Sequence, residues 1–463
     1  MFRTKRSRLT ASIAAAAVFG TGAALTVAQM AQAHGPHGTT APAAAADPTG
    51  AATFFVAALN GRNEVPGPAG SPKVGDPDGQ ALAVLRIKGN QLSFAINWTG
   101  IGAPVAGHVH LGASGSNGAV QVPFFGAGLA DGIEAAVGTV TVSDPALLDS
   151  LRANPTGFYA NLHTAEFPGG AVRGQLHATT HPVDLTAVLR GGPLSAMLGG
   201  DQELPGPKPA GDADGHATAY VAADDKRVHY SFTWSGISAP TDGHLHAGAA
   251  GVNGAVAVPL FSAPNGLPAS VTGIAGIAKG VKPELVRQVN RNPADFYANL
   301  HTADFPGGAV RGQLFRAGDG DDDDDFNQSS FIASVVRGEQ IYACTQQADG
   351  TFAFTQHNVS ATLQTGIAHS FVKDDAGPPQ WVSRDGSAVT GKLISKSPNG
   401  AANIAELDLA ATQSGAARGQ LATTVEILRL NTAGGIAPAG VCDPKARPIA
   451  KVPYQADYVF IAK

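Results

Sequence analysis

The chain has 463 residues, of which 14% are charged and 44% hydrophobic, with 58 glycines and 31 prolines. At about 150 residues per domain this length gives a prior of roughly three domains, and the Gly and Pro content stays below the ~25–30% that marks a disordered chain. A formal net charge of −5 makes nucleic acid and anionic membrane surfaces poor partners, so no nucleic-acid role is expected.

At the start, Arg3, Lys5, Arg6 and Arg8 precede an uncharged Ala-rich stretch from Leu9 to about Val27, and Ala31-Gln32-Ala33 offers a small-x-small cleavage site. This pattern predicts a signal peptide over 1–33 and a secreted, extracellular product. The alternative is a retained membrane anchor, against which Gly20, Thr21, Gly22 and Thr26 lower the hydrophobicity. Cleavage would leave no membrane span. Residues 34–52 read as a flexible leader.

An internal duplication follows. The segment Phe158 to Leu176 recurs from Phe296 to Leu314 with one change, Glu166 to Asp304. Trp98-Thr-Gly-Ile recurs at Trp234, Gly107-His-Val-His110 at Gly243, Asn117-Gly-Ala-Val at Asn253, and Glu64-Val-Pro at Glu203-Leu-Pro. So long a period predicts two tandem domains, placed at 53–178 and 192–316. Leu92, Phe94, Ile96 and Trp98 alternate with Gln91, Ser93, Ala95 and Asn97, which predicts a half-buried strand. Gln80 to Lys88 reads as its hairpin partner across Gly89-Asn90. One helix per copy is expected, with Asp144 as cap and Pro145 at the first helical position. The expected class is all-β: tandem antiparallel sandwich or barrel domains, then a third, β-rich domain at 330–463. Asp319 and Asp321 to Asp325 mark 317–329 as an Asp-rich linker. Cys344 and Cys442 are the only cysteines. In an oxidising compartment they read by default as a disulfide worth ~4–5 kcal/mol, with two free thiols as the alternative.

Six of the fourteen histidines form two matched triplets: His108, His110 and His163, and His244, His246 and His301. Residues i and i+2 of a strand share a face, so two imidazoles can converge on one ion. If the strand carrying His163 is a neighbour, three nitrogens meet and leave a fourth position open, which is the logic of a copper or zinc site. The plain alternative is structural, with the same histidines hydrogen-bonding loops. His177, His181, His216 and His229 have no partner in the other copy and read as surface residues.

The duplicated unit resembles the domain named after chordin (CHRD). The matching residues are Glu64-Val-Pro, the Gly-His-Val-His-x-Gly segment, and Asn161-Leu-His-Thr through Arg173-Gly-Gln175, repeated at Glu203, His244 to Gly248, and Asn299 to Gln313. The resemblance implies an extracellular β domain that binds secreted proteins in chordin itself. Ala171 and Ala309 stand where that family often has Glu. The last domain is similar to an uncharacterised secreted family of bacteria and fungi, through Gly338 to Cys344, Ala376 to Trp381, Asp385 to Ser387, Thr432 to Asp443, and Val452 to Tyr458. Both cysteines fall inside those motifs. The His triplets also look similar to copper-zinc superoxide dismutases, which implies Arg173 and Arg311 as anion or ligand neighbours. No histidine lies between His110 and His163, or between His246 and His301, to serve as bridge or zinc ligand.

Two functions stay open. One is a secreted binding or structural protein presenting two CHRD modules to an unknown extracellular protein or surface ligand, with no catalytic residues assigned. The other is a copper- or zinc-binding protein with one three-His site per module, redox-active if copper is bound.

Overall fold

A computed structural model describes residues 50–189, 192–316, 330–375 and 377–463. The expected signal peptide, nearly all of the expected leader and the Asp-rich linker lie outside the described residues.

The first copy comprises β1 (Thr53–Asn60), β2 (Gln80–Lys88), β3 (Gln91–Thr99), β4 (Pro104–Leu111), β5 (Val120–Phe125), β6 (Ile133–Thr141), α1 (Pro145–Ala153), β7 (Phe158–Thr164), β8 (Val172–Gln175) and β9 (His177–Ala178). The second repeats it as β10 (Leu194–Gly199), β11 (His216–Asp224), β12 (Arg227–Ser235), β13 (Pro240–Ala247), β14 (Ala255–Ser262), β15 (Val271–Lys279), α2 (Pro283–Arg291), β16 (Phe296–Thr302), β17 (Val310–Gln313) and β18 (Phe315–Arg316). The third domain holds β19 (Phe331–Gln346), β20 (Phe352–Leu363), β21 (Ala368–Phe371), β22 (Pro379–Val382), β23 (Ala388–Ser397), β24 (Glu406–Gln413), β25 (Thr424–Gly434) and β26 (Ile449–Ala462). The chain is all-β, as its alternation predicted.

Local chemistry sets the hairpins and caps. Lys88 pairs with Gln91 around Gly89, whose φ of 59° is the left-handed value that a two-residue turn needs at its first position. The Asp144 side chain accepts from the Ala146 N–H at 2.9 Å, and Leu148 and Leu151 bury the inner face of α1.

Within the first copy the antiparallel pairings run β6-β3-β2-β1-β8-β7-β4-β5. β4 and β5 leave the β2–β3 hairpin to join β7, and β6 returns to β3, a Greek-key crossing. The second copy has the same order, and the two join edge to edge through β6 and β15. Ala136 lies opposite Ile274, its own counterpart, while Gly138 faces Val271 and Gly276 faces Ile133. The junction is therefore self-complementary, like a two-fold interface between identical subunits. It also removes two free sheet edges.

The third domain is a closed barrel in which each strand pairs with the next and β26 returns to β19. It packs directly on the first copy. Val56, Ala58, Leu82, Val84 and Ala95 form one apolar cluster with Leu428, Leu430, Val459 and Ile461. The expectation that β3 is half-buried is corrected here: Ser93 and Ala95 are buried as well, because the face predicted to meet solvent is covered. His177 and His181 are likewise not simple surface residues. His177 lies 3.6 Å from Glu406, and His181 meets the fully buried carboxylate of Glu426 at 2.9 Å.

Two features of this interface are testable. Asp457, fully buried, accepts from Asn60 Nδ2 at 2.8 Å and Asn431 Nδ2 at 2.8 Å, and pairs with Arg62 at 3.1 Å. Asp457→Ala strands these donors and is expected to cost about 2–4 kcal/mol in urea denaturation. Asp408 is pushed up to about 7, first by burial and then by the neighbouring Glu426 carboxylate. A carboxyl raised in the folded state contributes stability below its unfolded value and loses it as pH rises toward 7. Asp408→Asn keeps the neutral form, so its stability should match the wild type near pH 4 and exceed it at pH 8 by about 1 kcal/mol after solvent screening, seen as a higher melting temperature at pH 8 alone. Parallel melting curves at both pH values read this difference.

Candidate metal centre

β4 carries His108 and His110, and β7 carries His163. The two strands are hydrogen-bonded neighbours, with His108 opposite Asn161 and His110 opposite Tyr159. Register breaks between Gly107 and His108 and between Val109 and His110, on the β5 side, re-aim both imidazoles. The second copy has the same two breaks at His244 and His246. The rings gather with centroids 5.5 Å apart for His108–His110 and 5.1 Å for His108–His163. In the second copy the matching separations are 5.5 Å and 4.9 Å. One nitrogen from each ring lies within 4.8 Å of the other two in both triads. Among the described residues each cluster stops at three members.

Hydrogen bonds fix which nitrogen is offered. His110 Nδ1 donates to the Gly118 carbonyl at 3.0 Å and His163 Nδ1 to the Pro168 carbonyl at 3.0 Å. Their Nε2 atoms therefore carry lone pairs. These two atoms and His108 Nδ1 are buried and have no hydrogen-bond partner. In the second copy His246 Nδ1 donates to Gly254 at 3.0 Å and His301 is held by Pro306. His244 Nδ1 there donates to His301 Nε2 at 3.0 Å. Burial, followed by mutual repulsion with the other two rings, pushes His108 down to about 3 and His244 to about 4. The other four imidazoles are also lowered, with burial the first cause. All six are neutral at physiological pH, the form that ligates metal.

The repeated motifs form the shell behind the triads. Arg173, 1% exposed, donates to the Ala113 and Ser116 carbonyls at 3.0 and 2.7 Å and to Asn117 Oδ1 at 3.1 Å. Arg311 makes the same three contacts with Ala249, Val252 and Asn253. Each guanidinium lies 3.5 Å over a tyrosine, Tyr159 or Tyr297, whose other partner is the stacked ring of His110 or His246 at 4.8 Å. The arginines thus face the loop and the tyrosine, and their donors are turned to that loop. At Gly118 a Cβ would fall 1.4 Å from the Leu111 carbonyl oxygen, so only glycine brings this loop to His110.

Sequence reading missed three participants in each copy: Tyr159, Asn161 and Glu64, with Tyr297, Asn299 and Glu203. Asn161 Nδ2 donates to Glu64 Oε2 at 3.3 Å, and Asn299 Nδ2 to Glu203 Oε1 at 3.0 Å. Burial pushes Glu64 and Glu203 up to about 7, against the lowering pull of Arg173 and Arg311. Their carboxyls rest on Gly170 and Gly308, at φ 134° and 130°, where a Cβ would approach within 2.5 and 2.4 Å. All six lie inside the duplicated motifs, which was the available signal.

In the third domain Cys344 and Cys442 form a disulfide with a Cα separation of 5.9 Å.

No curated protein and no solved structure matches the chain. A family model described as a protein of unknown function, DUF3455, matches residues 327–462. A model described as the CHRD domain matches residues 55–176 and again 194–314. With those two matches spanning more than half of its length, the chain belongs to the CHRD domain family.

Proposed function

We propose that this is an extracellular metal-binding protein in which each CHRD module holds one copper or zinc ion on three imidazoles: His108, His110 and His163 in the first, and His244, His246 and His301 in the second. The observation that carries the reading is the set of three buried, unpartnered nitrogens in the first module, His108 Nδ1, His110 Nε2 and His163 Nε2. Buried polar atoms are nearly always hydrogen-bonded, and three orphans facing one point ask for a shared partner. A purely structural role would satisfy these nitrogens with protein groups, as it does the opposite nitrogens of His110 and His163.

The donor set fits the ion. Neutral imidazole suits both copper and zinc, and three ligands leave a fourth position for water or a small ligand. Bonds of ~2.0–2.1 Å require nitrogens about 3.3 Å apart, so the rings close by up to about 1.5 Å on loading. Carbonyls that hold the remote ring nitrogens orient the ligands and raise their basicity. Arg173 and Arg311 serve here as supports for the ligand loops. Extracellular placement is supported by the disulfide, which persists in oxidising compartments. Partner recognition by other parts of each module is compatible with this reading, since the triads use only three residues of each copy.

Isothermal titration of chelator-treated full-length protein with Zn2+ and Cu2+ tests the proposal. About two equivalents per chain are expected, about one in His108→Ala or His244→Ala, and none in the double variant. Folded protein that binds neither ion stoichiometrically would overturn it and leave the structural role. A second expectation concerns the supporting shell. Arg173→Ala frees the Gly112–Gly118 loop from its anchor and should weaken the first site about 10–100-fold. The second site in the same variant is the internal control and should keep its affinity.

A further inference from the structure

The barrel of the third domain is hollow. A closed eight-stranded barrel either fills its interior with side chains or keeps room for one small ligand. Here a cavity of about 280 Å3 remains beside the packed core. At ~30 Å3 per water this is room for about nine waters, or for an organic molecule of about ten heavy atoms. The wall is largely apolar, with Val359, Phe371, Trp381, Leu407, Leu409 and Tyr458 prominent. Trp381 and Tyr458 are 1% and 0% exposed, whereas Leu393, also on the cavity, is 52% exposed and marks the side open to solvent.

Three polar atoms on residues lining this cavity are buried and lack a partner: Gln340 Nε2, Trp381 Nε1 and Arg429 Nε. All three are donors, so the missing partner is an acceptor. The side-chain oxygen of Gln340 is already occupied by Gln356 Nε2 at 3.1 Å. Arg429 gives one N–H to the Ala405 carbonyl at 2.7 Å, hydrogen-bonds Tyr458 and feels the Glu406 carboxylate, which leaves its Nε as the donor without a partner. Three unpartnered donors around an apolar cavity, one of them on a guanidinium, match the two acceptor oxygens of a carboxylate better than a single neutral acceptor. An ammonium would be repelled and brings no acceptor, and an alcohol brings one oxygen where three donors lack a partner.

We infer that the third domain is a binding site for a small apolar carboxylic acid, held in the barrel with its carboxylate on Arg429 and its hydrocarbon part against Trp381 and the leucine wall. The inference is independent of the metal reading, whose residues lie in the other two domains.

The test is calorimetric titration of the full-length protein, stripped of co-purified ligand on an apolar resin, with octanoate, octanol and octylamine as matched probes. Octanoate should bind one to one, with the two other probes weaker by about tenfold or more, as expected for loss of a charge-assisted pair. Arg429→Gln should weaken octanoate to the level of octanol and so remove that preference. Leu409→Trp fills the cavity and should abolish binding of all three. No octanoate binding, or octanol or octylamine binding as tightly as octanoate, would overturn the assignment. The comparison of probes on the unmodified chain decides this even where a variant fails to fold.

Discussion

The two three-histidine clusters depend on a buried guanidinium. Arg173 and Arg311 are 1% and 2% exposed, and a buried charge of this kind persists only when its donors are satisfied. Each finds its acceptors in one short loop, and each presents its flat face to a tyrosine 3.5 Å away. That one requirement fixes the loop, the loop supplies the carbonyl that orients His110 or His246, and the tyrosine stacks against the same imidazole. Arg, Tyr and His form a layered stack, with a permanent cation at its base that helps to keep the imidazole neutral. Replacing Arg by Lys would keep the charge but lose both the fork of donors and the planar face.

The copies share this machinery and differ where they meet the rest of the chain. Asn60, Arg62 and Asn63 reach Asp457 and Asn431 of the third domain, whereas the matching positions of the second copy are Gly199, Asp201 and Gln202. An aspartate in place of Arg62 would meet the buried Asp457 with like charge. The divergence therefore accounts for which copy docks the barrel. The β6–β15 junction is the opposite case: a self-complementary edge in which each pairing recurs reciprocally about Ala136 and Ile274, so both copies had to keep Gly138 and Gly276. A Cβ there would fall 2.0 and 2.2 Å from carbonyl oxygens of the opposite copy, Ser270 and Gly132.

Much of this was legible in the residues. Period-two alternation gave the strands, Asp144-Pro145 the helix start, and the paired His-x-His segments with a later His the triads. The features that stayed hidden have physical reasons. β3 alternates as a half-buried strand should, yet Ala95 is also covered, because small residues do not reveal whether solvent or another domain lies beyond them. Runs such as Ala-Leu-Ala-Val-Leu in β2 were the clue that both faces are buried. The role of the arginines was hidden because a motif shows that a cation is present and says nothing of which acceptors satisfy it. Register breaks at the histidines are likewise a property of pairing that no single strand encodes. The barrel cavity arises from what eight strands leave unfilled, and no local pattern announces it.

The two triads are alike in sequence and unequal in surroundings. His108 lies opposite Asn161, Asn161 opposite Arg173, and Arg173 opposite Asn60, whose side chain ends on Asp457 of the barrel. In the second copy the same row ends at Gly199, which carries no side chain to continue it. The geometry differs in step. His244 and His301 hydrogen-bond directly at 3.0 Å, whereas His108 Nδ1 and His163 Nε2 stay unpartnered. A ligand pair already bonded to itself must give up that bond before it can hold an ion, and orphaned nitrogens give up nothing. On the proposed metal reading, the module braced against the barrel is thereby the better prepared of the two, and duplication would yield two sites of one chemistry and different strengths.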